Sequence, residues 1–264
     1  MYSRSAKYKM EKKVKRVRYL PLLTGVVCAS ALAQSAGSFI ATGGAAWIDY
    51  GPSSATPLQS SSAAGTFTSS GTSGQIHNTW TAETAFTYFI TDNIAVDLAS
   101  GVPPKLNLYA QGTVTPFGPG GPALGLGNLQ PLATTRAWPP ILFFKYYVGA
   151  AQAKLRPFIG VGVNYTWYTA IQLNPTFNGA LHEIAGPGGD VKASLSPSWN
   201  PAFNAGLSYN FSKNWYATAS MTYLPLKTNA TITAVAANGQ GVLTNKTRLT
   251  ANPWIGFVGI GYRF

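Results

Sequence analysis

The sequence predicts an all-β protein, an eight-stranded antiparallel transmembrane β-barrel with short periplasmic turns and long extracellular loops. Three observations point there. The closing stretch Trp254 to Phe264 alternates an apolar row (Trp254, Val258, Ile260, Tyr262, Phe264) with a row that holds Gly259, Gly261 and Arg263, as a wall between lipid and lumen requires. Seven earlier segments alternate in the same way, and the gaps between them are alternately long and short. Charged residues make up only 10% of the chain and aromatic residues 13%, yet no apolar run reaches the roughly 20 residues of a spanning helix. A closed barrel is the other structure that satisfies its backbone in lipid.

The chain opens with a basic cluster (Lys7, Lys9, Lys12, Lys13, Lys15, Arg16, Arg18), an apolar run from Tyr19 to Leu32, and the small residues Ala31 and Ala33 before Gln34. That order is a signal peptide over residues 1–33, cleaved after Ala33, with Ala36 the second choice, leaving a barrel over 34–264. The leader carries eight of the nineteen Lys and Arg, so eleven bases and six acids remain, a net charge of +5. The high pI therefore belongs mostly to the leader, and no nucleic-acid partner is expected. Cys28, the only cysteine, leaves with it; Val27 before it is too large for a lipoprotein site.

The first strand runs from about Ser38 to Tyr50, followed by a Ser, Gly and Ala rich loop to about Gln75. The second, Asn78 to Ile90, puts Trp80, Ala82, Thr84, Phe86 and Tyr88 on one face. Thr91-Asp92-Asn93 turns tightly into the third, where Ile94, Val96 and Leu98 oppose Ala95, Asp97 and Ala99. A Pro and Gly rich loop spans about 106–135. The fourth strand, Ala137 to Gly149, sets Leu142, Phe144, Tyr146 and Val148 against Ile141, Phe143, Lys145 and Tyr147. After a short turn, the fifth sets Ile159, Val161, Val163, Tyr165 and Trp167 against Phe158, Gly160, Gly162, Asn164 and Thr166. A third long loop reaches about Ser198. In the sixth, Phe203, Leu207, Tyr209 and Phe211 oppose Asn204, Gly206, Ser208 and Asn210. Ser212-Lys213-Asn214 turns into the seventh, Trp215 to about Ile232, and a last loop to about Lys246 precedes the eighth. A soluble lipocalin would bury its apolar row and expose the polar one; here strands five and six set aromatic residues against polar ones, which suits a lipid exterior.

Pro103, Pro104, Pro139, Pro140, Pro201, Pro225 and Pro253 each lie roughly ten residues from the short-turn end, the length that crosses a bilayer. Proline cannot donate to a ladder, so these residues either cap strands where loops begin or open a side gap from lumen to lipid.

The segments Thr91-Asp92-Asn93-Ile94, Pro139-Pro140-Ile141-Leu142, Arg156 to Thr166, Asn214-Trp215 and Asn252-Pro253-Trp254, with Gly261-Tyr262-Arg263-Phe264, resemble the outer-membrane protein W family over essentially the whole mature chain. The resemblance implies a multi-pass barrel in the outer membrane of a Gram-negative bacterium, a porin-like channel carrying small hydrophobic molecules with lateral release. It also implies partners: outer-membrane lipid and lipopolysaccharide, a small hydrophobic solute, and the barrel-assembly machinery, which would read the C-terminal strand and its Phe264. Members narrow the lumen with bulky side chains from strands three and seven, whereas the inward positions here include Ala99 and Thr222.

With Phe264 outward, the expected apolar lining is Ile141, Phe143, Tyr147, Phe158, Ile255 and Phe257. Glu83, Asp97, Lys145 and Arg263 also fall inward, in the periplasmic half, where buried charges persist only as pairs; they are expected to form a plug. Eight strands leave room for side chains but no wide aqueous pore. Trp167, Trp199, Trp215 and Trp254 suit the two interfacial girdles. No catalytic, metal or cofactor site is expected: His77 and His182 are the only histidines, His182-Glu183 lacks a second histidine at ligand spacing, and neither Gly160-Val161-Gly162 nor Gly259-Ile260-Gly261 precedes a helix. Passive uptake of an apolar solute is the leading reading; a structural or adhesive barrel whose loops bind surfaces or host molecules is the alternative.

Overall fold

A computed structural model describes residues 34–264; the expected leader, its cleavage point after Ala33 and Cys28 lie outside the described residues. Eight strands close on themselves: β1 (Phe39–Asp49), β2 (Thr79–Phe89), β3 (Ile94–Gly101), β4 (Ile141–Tyr147), β5 (Leu155–Leu173), β6 (Ser198–Asn210), β7 (Trp215–Tyr223) and β8 (Trp254–Arg263). Each pairs antiparallel with the next. The seam between β8 and β1 runs from Arg263 opposite Ile40 to Trp254 opposite Asp49, so the barrel has no open edge. Closure is obligatory in hydrocarbon, where each unpaired backbone group costs several kcal/mol.

Period 2 sorts the two faces. Phe86, Leu98, Phe144, Val163, Leu207 and Ile260 point outward and are exposed, while the neighbouring Ala85, Asp97, Phe143 and Asn164 are buried inside. The outer rim carries the ring pairs Trp47–Trp80, Trp138–Trp167, Tyr165–Trp199 and Tyr223–Trp254; at the inner rim Trp215 packs on Tyr262 and Tyr262 on Phe264. The periplasmic turns are tied by side chains. Thr91 Oγ1 accepts from the Ile94 N–H at 2.9 Å, and Asn93 Nδ2 donates to the carbonyls of Tyr147 and Gly149 at 2.7 and 2.8 Å.

Beyond the membrane the structure departs from the expected loops, because most of them fold as walls. Three predicted strands break at prolines. The fourth divides into Ala133–Trp138 and β4 at Pro139-Pro140; the seventh ends at Tyr223 and resumes as Leu226–Val235; the eighth is preceded by Gly241–Ala251. The fifth, in contrast, continues to Leu173, and Ala133–Trp138, Lys105–Gln111 and Ser73–Ile76 assemble on its outer half. A second sheet joins Asp190–Leu195, Leu226–Val235, Gly241–Ala251, Leu58–Ser62 and Gly65–Ser69. The third loop also holds a helix, α1 (Pro175–Ala185). Asn174 caps it by accepting from the Thr176 and Phe177 N–H groups at 3.0 and 3.4 Å, Pro175 supplies a first-turn residue that needs no donor, and Gly186 at φ +78° ends it. Phe177, Leu181 and Ala185, spaced by four, are its buried face.

Candidate functional site

The lumen is closed toward the periplasm. Arg156 on β5 is fully buried; its guanidinium donates to the carbonyls of Gln34 at 2.8 Å and Asp92 at 2.6 Å and lies over the rings of Phe89 and Tyr147. Gln34 is itself buried, with Nε2 donating to Ser208 Oγ at 2.6 Å. Above it Tyr147 packs between Phe89 and Phe158, each pair at 4.9 Å, and Tyr216 shares a hydrogen bond with Thr42. Next comes an ion pair: Lys145 Nζ lies 2.7 Å from Asp97 Oδ2, Thr87 donates to Asp97, and the ammonium sits 5.4 and 5.0 Å from the Phe143 and Phe158 ring centres. Two buried charges hold together on these terms because each is paired, and the cation also faces ring π-clouds. Glu83 is half-buried and lines the same cavity.

Arg263 stands apart from the four-residue plug expected. Its guanidinium donates to the Lys213 carbonyl in the turn before β7, and its own carbonyl accepts from Asn214 Nδ2 at 2.9 Å. The strand period turns it inward, but at the last rung it reaches the rim rather than Asp97. Arg156, in phase with Phe158 and Gly160, occupies the sealing position instead.

Over the floor one side of the lumen is apolar, while on the other, on β5 and β6, Thr166 and Asn200 donate to the buried Asn164 Oδ1 at 2.7 and 3.0 Å. Ile141, Phe143, Ile255 and Phe257 are buried with Ala46, Ala99 and Ala202. Tyr147 and Phe158 belong to the lower aromatic layer. The narrowing rings thus come from β4, β5 and β8, opposite small side chains at Ala99 and Thr222. The inward glycines seat these rings: a Cβ on Gly162 would lie 2.5 Å from the Leu142 carbonyl oxygen and 2.6 Å from Phe143 Cδ1, and one on Gly259 would lie 2.6 Å from Phe257 Cζ.

Three cavities succeed one another from the outside. The outermost, about 970 Å³ and partly open to solvent, lies between the two extracellular sheets, with Leu108, Ile171, Phe177, Leu195, Ile232 and Leu249 among its walls. A neck of about 590 Å³ shares Ile76, Leu108, Leu195 and Leu249 with it and continues to Ile48, Leu224 and Ile255. A third space, about 380 Å³, shares Ile48, Pro139 and Ile255 with the neck and turns sideways to Gly101, Val102 and Pro104. It lies at a break in the wall. The β3–β4 ladder ends at Ala99 opposite Ile141 and hydrogen bonding resumes only where the Ala137 N–H donates to the Pro104 carbonyl at 3.2 Å. In between stand Pro139 and Pro140, which have no N–H to give.

The OmpW family model matches residues 35–264, the whole of the barrel and its extracellular extension. The chain belongs to the OmpW family. It is 29% identical to outer membrane protein W of Escherichia coli K12 over 92% of this chain and 95% of that one, and 29% identical to outer membrane protein W of Vibrio cholerae over 67% and 70%. The crystal structure of the outer membrane protein OprG from Pseudomonas aeruginosa superposes with a TM-score of 0.69 at 24% identity, covering 89% of this chain and 99% of that one. This OmpW-family chain is therefore an outer-membrane β-barrel.

Pro201, Pro225 and Pro253 of this OmpW-family barrel occupy closed wall. Pro201 sits within β6, opposite Val163 in an unbroken register with β5. Pro225 and Pro253 mark where β7 and β8 pass into the extracellular sheet, and there the Leu224 N–H bridges to the Pro253 carbonyl at 3.1 Å. Pro103 borders the break, its carbonyl accepting from the Arg136 guanidinium at 3.2 Å. His77 stacks on Tyr109 at 3.9 Å and His182 lies on the exposed side of α1; among the described residues no group of three His, Cys, Asp or Glu could hold a metal. Trp199, Trp215 and Trp254 are exposed on the barrel exterior, and Trp167 stacks on Trp138.

Proposed function

We propose that this barrel is a passive route by which a small hydrophobic solute enters the extracellular chamber, descends the neck and leaves sideways between β3 and β4 into the outer membrane. The observation that carries this reading is the run of apolar cavities ending at the Pro139-Pro140 break, above a floor filled by Phe143, Phe158, Lys145, Asp97 and Arg156. A solute that cannot pass the floor has one way out, and at that height the surroundings are lipid. Ile141 and Ile255 would line the turn, and Phe143 and Phe257 would close it below. No energy source is needed, because the solute moves down its own gradient into hydrocarbon. The extracellular segments support this reading over the adhesive one, since they turn apolar side chains onto a chamber continuous with the barrel.

The test is a reversible lock across the break. Ser100→Cys with Pro140→Cys places two thiols opposite each other when the β3–β4 register is extended beyond Ala99–Ile141, and avoids Gly101, where a Cβ would lie 2.4 Å from the Ala82 carbonyl oxygen. Uptake of naphthalene by cells carrying the oxidised variant is expected to fall to the level of a strain lacking the gene, and to recover on reduction. Equal uptake by oxidised and reduced forms would rule out this exit; equal uptake with and without the gene would rule out transport.

A further inference from the structure

The second extracellular sheet has two unlike faces. One lines the chamber with Leu195, Ala230, Ile232 and Leu249. The other presents Lys192, Lys227, Lys246 and Arg248, all exposed, with serine, threonine and asparagine between them. The register gathers these cations. Lys192 lies opposite Thr233, Lys246 opposite Thr231 and Arg248 opposite Asn229, with Lys227 two residues further along, so the charges are spread over three neighbouring strands with offsets of about 7 Å along the strand direction. Arg248 Nε donates to Asn229 Oδ1 at 3.3 Å, which holds the guanidinium against the sheet with its remaining N–H groups free to face outward.

Among the described residues none of the four forms an ion pair. The one carboxylate on this sheet, Asp190, accepts from the Val191 N–H at 2.8 Å and lies on the same face two residues from Lys192, leaving Lys227, Lys246 and Arg248 with no carboxylate beside them. Four like charges against a single carboxylate raise one another's energy, and an arrangement of this kind is stabilised by a polyanion alongside. The height identifies it. The Tyr223–Trp254 ring pair marks the outer rim of the lipid-facing belt. Lys227 stands about 13 Å along the strand from Tyr223, and Lys246 about 26 Å from Trp254, at roughly 3.3 Å per residue. That is above the acyl chains and within the sugar and phosphate layer of an outer-membrane leaflet. The face is continuous with the membrane-embedded wall, since the same chain segments run from one into the other across Pro225 and Pro253.

We propose that this face docks the phosphorylated saccharide head group of the outer-leaflet glycolipid, with Arg248 gripping one phosphate through paired N–H groups and Lys192, Lys227 and Lys246 supplying point charges to its neighbours. The role is independent of the route taken by the solute.

The test uses the full chain in detergent, with chelator present so that divalent ions do not screen the phosphates. Binding of purified lipopolysaccharide with a phosphorylated core is measured by native mass spectrometry for the wild type and for K192Q/K227Q/K246Q/R248Q, with K154Q/K213Q, in the periplasmic turns, as the charge-loss control. The quadruple variant is expected to bind at least about tenfold more weakly, the control to match the wild type, and wild-type affinity to fall with salt. Core-dephosphorylated lipopolysaccharide should bind the wild type as weakly as the intact lipid binds the quadruple variant. That arm needs no variant to fold. Equal affinity of the wild type for phosphorylated and dephosphorylated lipid, or equal affinity of the wild type and a folded quadruple variant for the intact lipid, would overturn the proposal.

Discussion

Lys145 and Asp97 sit where neither side chain reaches bulk solvent, with relative exposures of 10% and 1%. Such a pair is costly to break and cheap to replace. Asp97→Asn strands the ammonium between Phe143 and Phe158, and urea titration of the protein folded into phospholipid vesicles is expected to show a loss of about 3–5 kcal/mol. Replacing both residues by leucine removes the desolvation cost along with the attraction, so the double variant should recover most of that loss; a double variant as unstable as the single one would contradict this account. Glycines supply a second contrast. Gly162→Ala pushes a methyl group into the Leu142 carbonyl and the Phe143 ring, for an expected loss of about 1–3 kcal/mol, while Gly43 faces open space and Gly43→Ala should stay within about 0.5 kcal/mol of the parent in the same titration. The inward direction of Lys145, Asp97 and Arg263 follows from period 2 alone. Which of them meet does not, because alternation sets the side of the wall and says nothing about whether a side chain at one rung can reach a partner on a strand several places around the ring.

Among the elements, the eight barrel strands were legible because each alternates against lipid, which keeps charged side chains off every second position and favours apolar ones there. The extracellular strands escape that rule. Their outward residues meet water, their runs are short, as in Leu58–Ser62 and Gly65–Ser69, and serine, threonine and glycine fill them, so the text resembles loop. Proline breaks such as Leu224-Pro225 similarly read as strand ends, and only the long-range pairing of Leu226–Val235 with Gly241–Ala251 reveals a second sheet. Helix α1 did leave a local trace, in Asn174-Pro175 at its start, Gly186 at its end and apolar residues at 177, 181 and 185. Its contribution can be measured. Asn174→Ala removes the cap for two N–H groups and is expected to destabilise the helix by about 1 kcal/mol, read as faster tryptic cleavage at Lys192 in the adjoining strand with barrel spectra unchanged.

The whole molecule combines a membrane cylinder, closed by hydrogen bonds on every side but one short interval, with an extracellular part built from sheets that retain free edges. Hydrogen exchange in bilayers should grade accordingly. Amides of β1, β2 and β5 to β8 within the membrane are expected to exchange slowest, those of Gly65–Ser69 and Asp190–Leu195 at the sheet edges faster, and Gly101, beside the proline pair, faster than its neighbours in β3. Uniform protection across Ser100 to Val102 would mean that the wall is continuous there. The seam that joins β1 to β8 carries a further implication. It brings together the two ends of the described barrel, down to the Phe264 N–H donating to the Phe39 carbonyl at 3.0 Å. The entropy of closing so large a ring is lost before its last rungs form, and until they do two rows of amides face hydrocarbon unpaired. Assembly is therefore committed only when the final strand arrives, and a chain shortened by that strand should stall as an insertion intermediate exposed to periplasmic proteases instead of maturing as a smaller barrel.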